Sequence, residues 1–213
     1  MINEKEVSYQ TTNTYSTLND RTTSTRNVWV VFHGIGYLSR YFLKYFRHLN
    51  QAENYIIAPQ APSKYYLNGR YEHVGASWAT REHTETEIQN VLSYLDEIYE
   101  REDLKNAPNL VFFGYSQGVS IASRWVARRK LNPAQLIFHS GRIPTELKSE
   151  NLQHLDSCST SFVYGTEDPF VSKDFLASEK ERLNQLFKQN LNFIPFEGGH
   201  EVNKEIILKI AGE

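Results

Sequence analysis

The chain has 213 residues, with 23 Lys plus Arg against 25 Asp plus Glu and a formal charge of −2, a balance that gives nucleic acid no basic footprint and a membrane surface no polybasic patch. Hydrophobic residues make up 40% and charged ones 23%, an ordinary globular mix. Its longest apolar run, Val28–Phe32, falls far short of the roughly 20 residues a spanning helix needs, so no stable membrane insertion is expected. One cysteine, Cys158, excludes an internal disulfide and a cysteine-rich zinc site; with a polar, Thr- and Asn-rich start it predicts a cytoplasmic protein of one domain over residues 1–213.

In chain order, weak alternation before residue 27 offers an antiparallel edge hairpin within residues 1–26. Val28–Phe32 reads as a buried strand ended by Gly34-Ile35-Gly36. From Tyr37 to Asn50, Leu38, Phe42, Phe46 and Leu49 fall at helical spacing. Tyr55–Ala58 is a short strand stopped by Pro59. Residues 60–79 carry Pro62, Gly69 and Gly75 without a clear period, and a loop this long in a compact domain is usually functional or mobile. His83–Glu100 is the clearest helix, with Ile88, Val91, Leu92, Leu95, Ile98 and Tyr99 on one stripe.

Leu110–Phe113 is a strand, Gly114–Gly118 a turn, and a helix follows to about Lys130, where Arg128, Arg129 and Lys130 suit the helix dipole as a solvated end. Leu136–His139 and Ser161–Tyr164 are further strands. A helix spans Ser172–Gln189, Asn192–Pro195 is the last strand, and Lys204–Ile210 closes the chain. Strand and helix in alternation predict an α/β fold: a mostly parallel twisted sheet with helices on both faces.

Ligands of open parallel sheets collect at the carboxyl ends of the strands. After Leu110–Phe113 stands Gly114-Tyr115-Ser116-Gln117-Gly118, a Gly-x-Ser-x-Gly between strand and helix. A serine on so sharp a turn needs small residues two places to either side, and the following helix aims unpaired N–H groups at a developing oxyanion. After Ser161–Tyr164 come Glu167 and Asp168, either of which could reach an imidazole. After the last strand comes Gly198-Gly199-His200. A serine hydroxyl needs a contacting imidazole, and that imidazole needs a carboxylate to fix its tautomer. The chain order Ser, acid, His is that of α/β-hydrolases, unlike the two common protease orders. The N–H groups of Ile35 and Gln117 are the candidate oxyanion donors. Gly34-x-Gly36 fails as a dinucleotide fingerprint: Ser39 takes the third glycine place, and Glu53, about 20 residues on, precedes the next strand instead of ending it.

Together His33-Gly34, Gly114-Tyr115-Ser116-Gln117-Gly118, Ser140-Gly141, Gly165-x-x-Asp168-Pro169 and Gly199-His200 resemble the phospholipase/carboxylesterase family of α/β-hydrolases, which includes bacterial carboxylesterases and acyl-protein thioesterases. The resemblance spans about residues 28–205. It implies hydrolysis of a small-molecule carboxylic ester or thioester, with Ser116, Asp168 and His200 catalytic, and it selects Asp168 over Glu167. Ser77-Trp78 resembles the family's Trp-containing segment near the acyl pocket, although Ala79-Thr80 stands where an aromatic–acid pair is usual. Trp78, Tyr65 and Tyr66 are therefore candidate substrate contacts in an aromatic, largely neutral loop suited to an apolar acyl group. Tyr65, Tyr66, Leu67 and Tyr71 equally suit ordinary packing.

The seven histidines contain no i, i+4 pair and no His-Glu-x-x-His, so neither a metal nor another cofactor is expected. Cys158 reads as a quiet residue before a strand, and Ser140 and Ser77 lack an ordered base and acid. The other function open to such a chain is non-catalytic binding on a retained hydrolase fold. Loss of a triad member or an elbow glycine would mark it, and this sequence keeps all of them.

Overall fold

The computed structural model describes residues 2–188 and 191–213. The chain runs through β1 (Tyr15–Leu18), β2 (Asn27–Phe32), a one-turn α1 (Ser39–Phe42) continued by a 3-10 turn (Leu43–Phe46), and β3 (Asn54–Pro59). Next come β4 (Ser63–Tyr66), β5 (Val74–Ser77), α2 (Thr84–Arg101), β6 (Leu110–Tyr115) and α3 (Gln117–Arg129). The remainder is β7 (Gln135–His139), a short α4 (Ser149–Leu152), β8 (Ser159–Gly165), α5 (Lys173–Leu186), β9 (Leu191–Phe196) and α6 (Lys204–Ala211).

Seven strands form one sheet in the order β1-β3-β2-β6-β7-β8-β9, parallel throughout except for β1 against β3. The interior strands are apolar at nearly every position because both faces are covered, and alternation sorts their side chains into two layers. Val28, Val30, Phe32, Phe112 and Phe138 pack with α2 and α3 through Leu92, Leu95, Trp125 and Val126. Trp29, Val31, Val111, Phe113 and Ile137 pack on the other face with Phe42, Phe46, Ile206 and Ile207. Each such fully buried side chain contributes about 1.5–3 kcal/mol of transfer free energy. The basic end of α3 is tied to α2, with Arg128 on Glu85 and Arg129 on Asp96 at 2.8 Å. The cluster stays at the surface, a solvated helix end as expected, with Lys130 exposed and bonded to the Asn151 carbonyl.

The chain steps from β2 outward to β3, then returns to the far side of β2 to lay down β6. Ligands of open α/β sheets bind outside the strands' carboxyl ends at such a reversal of strand order. Register puts Phe32 opposite Gly114, so both loops start at one level. β9 forms the far edge, paired among the described residues only with β8 and half-exposed along its middle.

Three expectations are corrected. Residues 1–26 give no hairpin: among the described residues they supply only β1, whose partner is β3, because the segment before Thr14 is too polar to bury. The run Tyr37–Asn50 is not one helix. Leu38, Phe42, Phe46 and Leu49 are buried as the spacing requires, but a turn of α-helix followed by a 3-10 turn presents the same side chains inward. Its many aromatics, poor helix formers, gain from packing and not from helix length. Residues 60–79 are not an irregular loop but carry the antiparallel hairpin β4–β5. The expected end of the α5 helix at Gln189 lies outside the described residues.

Candidate active site

Between β6 and α3, Ser116 adopts φ 51° and ψ −118°, a region costing a non-glycine residue about 1–3 kcal/mol. The surroundings hold it there. Its N–H donates to the His139 carbonyl at 2.9 Å. A Cβ on Gly114 would stand 2.7 Å from Val119 Cα, one on Gly118 would overlap the Phe32 carbonyl oxygen, and one on Gly141 would overlap the carbonyl oxygen of Ser116 itself. The Gly-x-Ser-x-Gly pattern is therefore the condition for three backbone segments to close around the serine.

His200 follows β9 on a loop where Gly198 takes φ 150°. Its Nε2 lies 3.0 Å from Ser116 Oγ and its Nδ1 2.8 Å from Asp168 Oδ2. A carboxylate oxygen can only accept, so Nδ1 carries the proton and Nε2 turns a lone pair toward the serine hydroxyl. The Asp168 side chain is fully shielded from solvent, and its Oδ1 accepts the Phe170 N–H at 2.9 Å. The loops carrying Asp168 and His200 are stitched together: Glu167 N–H donates to Gly198 O and Thr166 N–H to Phe196 O, both at 2.9 Å. The Glu167 side chain is exposed, and the imidazole contact is made by Asp168. Tyr115 lends its hydroxyl to the His200 carbonyl at 2.8 Å and its ring to the imidazole at 5.4 Å between centroids. Burial pushes that phenol's pKa up, so it remains a donor.

The loop after β2 lies against Ser116, since a Cβ on Gly34 would sit 3.0 Å from the Tyr115 ring and 3.2 Å from Ser116 Cβ. His33 braces this loop: its Nε2 accepts the Ala61 N–H at 3.2 Å, and its Nδ1–H donates to Gly34 O at 2.8 Å. Burial lowers this imidazole to about 4, so it is neutral. The N–H groups of Ile35 and Gln117 belong to the two segments that meet at Ser116. His139 is a second neutral brace, lowered to about 3 by burial and then by the charge of His200. It accepts the Asn203 N–H at 3.1 Å and donates to Ser140 Oγ at 3.0 Å. Sequence reasoning missed both braces, although each imidazole stands at the end of a predicted strand.

The candidate substrate contacts divide. Trp78 is fully buried. It is packed 5.8 Å from Phe32 and 5.0 Å from His33 between ring centroids, and its Nε1–H donates to His33 O at 2.8 Å. With no face toward solvent it belongs to the scaffold behind the loop after β2, which corrects its expected place in the pocket. The Tyr65 hydroxyl stands 3.8 Å from the Cβ position of Gly36, beside that loop. Tyr66, next on the strand, faces the opposite way and meets Tyr71 edge-on at 4.9 Å. Missed in the sequence was Phe170, 73% exposed and edge-on to the His200 ring at 4.9 Å. An aromatic two places after the acid was the signal.

The rival nucleophiles are engaged elsewhere. Ser77 Oγ donates to Ala79 O at 3.0 Å, Ser140 meets His139, and burial lifts the Cys158 thiol to about 11. Among the described residues no group of three or more His, Cys, Asp or Glu side chains could hold a metal ion, and no helix is long and apolar enough to cross a membrane.

A family model described as Phospholipase/Carboxylesterase matches residues 13–211. No curated protein sequence matches the chain. Among solved structures, acyl-protein thioesterase 2 from Zea mays is similar with TM-score 0.70 at 16% identity, over 94% of this chain and 96% of that one. A phospholipase/carboxylesterase from Dyadobacter fermentans gives TM-score 0.68 at 18% identity over 96% and 97%, and esterase PE8 gives 0.67 at 19% over 92% and 95%. At these identities the likeness is one of fold, the α/β-hydrolase fold.

Proposed function

The chain belongs to the phospholipase/carboxylesterase family of α/β-hydrolases, and from that premise we propose that it is a serine hydrolase cleaving carboxylic esters or thioesters through an acyl-enzyme on Ser116. The observation that carries this reading is the unbroken chain of contacts from Ser116 Oγ to His200 at 3.0 Å and from His200 to buried Asp168 at 2.8 Å.

Ser116 Oγ attacks the acyl carbon while His200 Nε2 takes its proton, and Asp168 stabilises the imidazolium without accepting that proton. The carbonyl oxygen becomes an oxyanion that the Ile35 and Gln117 N–H groups, one on each segment beside Ser116, are placed to receive. Collapse breaks the bond to the alcohol or thiol, which leaves with the proton from His200. Water, deprotonated by the same Nε2, then attacks the acyl-enzyme and restores Ser116. No metal or other cofactor enters the cycle.

The exposed apolar side chains near the serine, Ile35, Phe170 and Tyr65, are 55%, 73% and 40% accessible. They support an apolar acyl group of short to medium length over a charged or sugar one.

A fluorophosphonate labels Ser116 covalently in this reading, and p-nitrophenyl butyrate is turned over. Ser116→Ala loses the label and on the order of 10³-fold or more in kcat. Label mapped by mass spectrometry to Ser140 or Ser77, or undiminished turnover by Ser116→Ala, would overturn the assignment.

A further inference from the structure

We infer that the Gln117 side chain is a positioning residue that holds the two halves of the oxyanion site in register, so that the residue supplying one N–H donor also fixes the loop supplying the other. This rests on the hydrolase reading for its catalytic consequence, but the mechanical link is present in the contacts themselves.

Gln117 is the first residue of α3, and its side chain reaches sideways to the strand leaving the β4–β5 hairpin. Its Oε1 accepts the Trp78 N–H at 3.0 Å, while its Nε2 donates to Ala79 O and to Ser77 Oγ, each at 2.9 Å. The amide orientation is dictated by these partners, because the Trp78 N–H can only donate and the Ala79 carbonyl can only accept. Three residues in a row are therefore gripped by one side chain.

The gripped segment in turn grips the loop after β2. Ala76 O accepts the Gly36 N–H at 2.9 Å, and Trp78 Nε1–H donates to His33 O at 2.8 Å. Gly75 lies so close to Gly36 that a Cβ there would stand 2.7 Å from the Gly36 carbonyl oxygen. Ile35 lies between these two anchors. Its N–H points where residues 33 and 36 allow, and those are held at one remove by Gln117.

Oxyanion donors act by being in place before charge develops. Loss of the grip leaves the Gln117 N–H where the elbow puts it and frees the Ile35 N–H to wander. A misplacement of about 1 Å costs on the order of 10²-fold in rate. Ground-state binding of an apolar ester, which does not use these donors, is unaffected, so kcat carries the loss and KM does not.

The test uses Gln117→Met, which keeps side-chain length without its hydrogen bonds, and Ser77→Ala, which removes one partner from the opposite side. Two readouts are taken on the full chain: amide hydrogen exchange of Gly36 by NMR, and kcat and KM for p-nitrophenyl butyrate. In Gln117→Met the Gly36 N–H exchanges at least about tenfold faster while amides of β6 and β7 keep their wild-type rates. In the same variant kcat falls by about 10–100-fold with KM within twofold. Ser77→Ala moves both readouts the same way by less, and it decides the matter if Gln117→Met fails to fold. Wild-type exchange at Gly36, or acceleration shared equally by all core amides, overturns the inference, as does a kcat within twofold of wild type. A wild-type protein that fluorophosphonate leaves unlabelled would sink the hydrolase reading instead, and the exchange readout would still decide whether Gln117 holds the loop.

Discussion

Acid should unfold this protein chiefly through two imidazoles that never touch substrate. His33 and His139 are held neutral, at about 4 and about 3 against an ordinary 6.5. In each, Nε2 accepts a backbone N–H, from Ala61 and from Asn203, so protonation would set two donors face to face. Both folded values lie below the unfolded one. The unfolded chain therefore takes up protons first as pH falls through 6.5, and stability intact above that pH drains away down to about 4 for His33 and about 3 for His139. At about 1.36 kcal/mol per pH unit, each histidine costs about 2–3 kcal/mol by pH 4.5. Together they remove roughly 5 kcal/mol, a large share of the 5–15 kcal/mol typical of a domain. Urea denaturation at pH 7.5 and 4.5 measures this directly. His33→Gln and His139→Gln should each lose about 2–3 kcal/mol less than wild type over that interval, because carboxylates shared by all three proteins cancel in the difference. If both variants lost as much as wild type, the buried-imidazole account would be refuted.

The remaining predictions concern the site. Asp168→Asn should fold and yet lower kcat by on the order of 10²–10⁴, since the amide favours the wrong imidazole tautomer, whereas Glu167→Gln should cost less than about tenfold; a reversed ranking in steady-state kinetics would make Glu167 the acid. Trp78→Ala should cost about 3–5 kcal/mol of stability by calorimetry and slow esters of every acyl length alike. Phe170→Ala should leave the thermal midpoint near wild type and penalise longer acyl chains progressively, by up to about 0.8 kcal/mol per methylene; equal losses across a series from acetate to octanoate would remove Phe170 from the acyl contact.

The sheet could be read in the sequence because strands buried on both faces are apolar at successive positions, as in Val28–Phe32 and Leu110–Phe113. The serine elbow was equally legible, its glycines being demanded by backbone contacts that admit no side chain. What escaped lies where one pattern serves two structures. Leu38, Phe42 and Phe46 face inward from a broken helix as well as from a whole one. Tyr65 and Tyr66 alternate on a strand, but both are partly exposed, so no alternation in polarity betrays it. Trp78 was expected at the pocket from its neighbourhood in the chain, yet its indole N–H found a buried carbonyl behind the loop, as a buried tryptophan requires. The braces His33 and His139 were invisible because their partners, Ala61 and Asn203, are backbone amides, and a backbone amide leaves no mark in a sequence.

The base of the proposed mechanism hangs from a sheet edge. His200 follows β9, which among the described residues pairs with β8 alone, so releasing it breaks one ladder where releasing Ser116 would break two. Local opening at an edge requires less free energy than global unfolding. Warming should therefore populate a species in which β9 has peeled away while Trp29, Trp78 and Trp125 remain in their buried places around β2, β6 and α3. Tryptophan emission would describe that species as native, and turnover would describe it as dead. Any turnover that depends on His200 would then stop while the rest of the fold still stood.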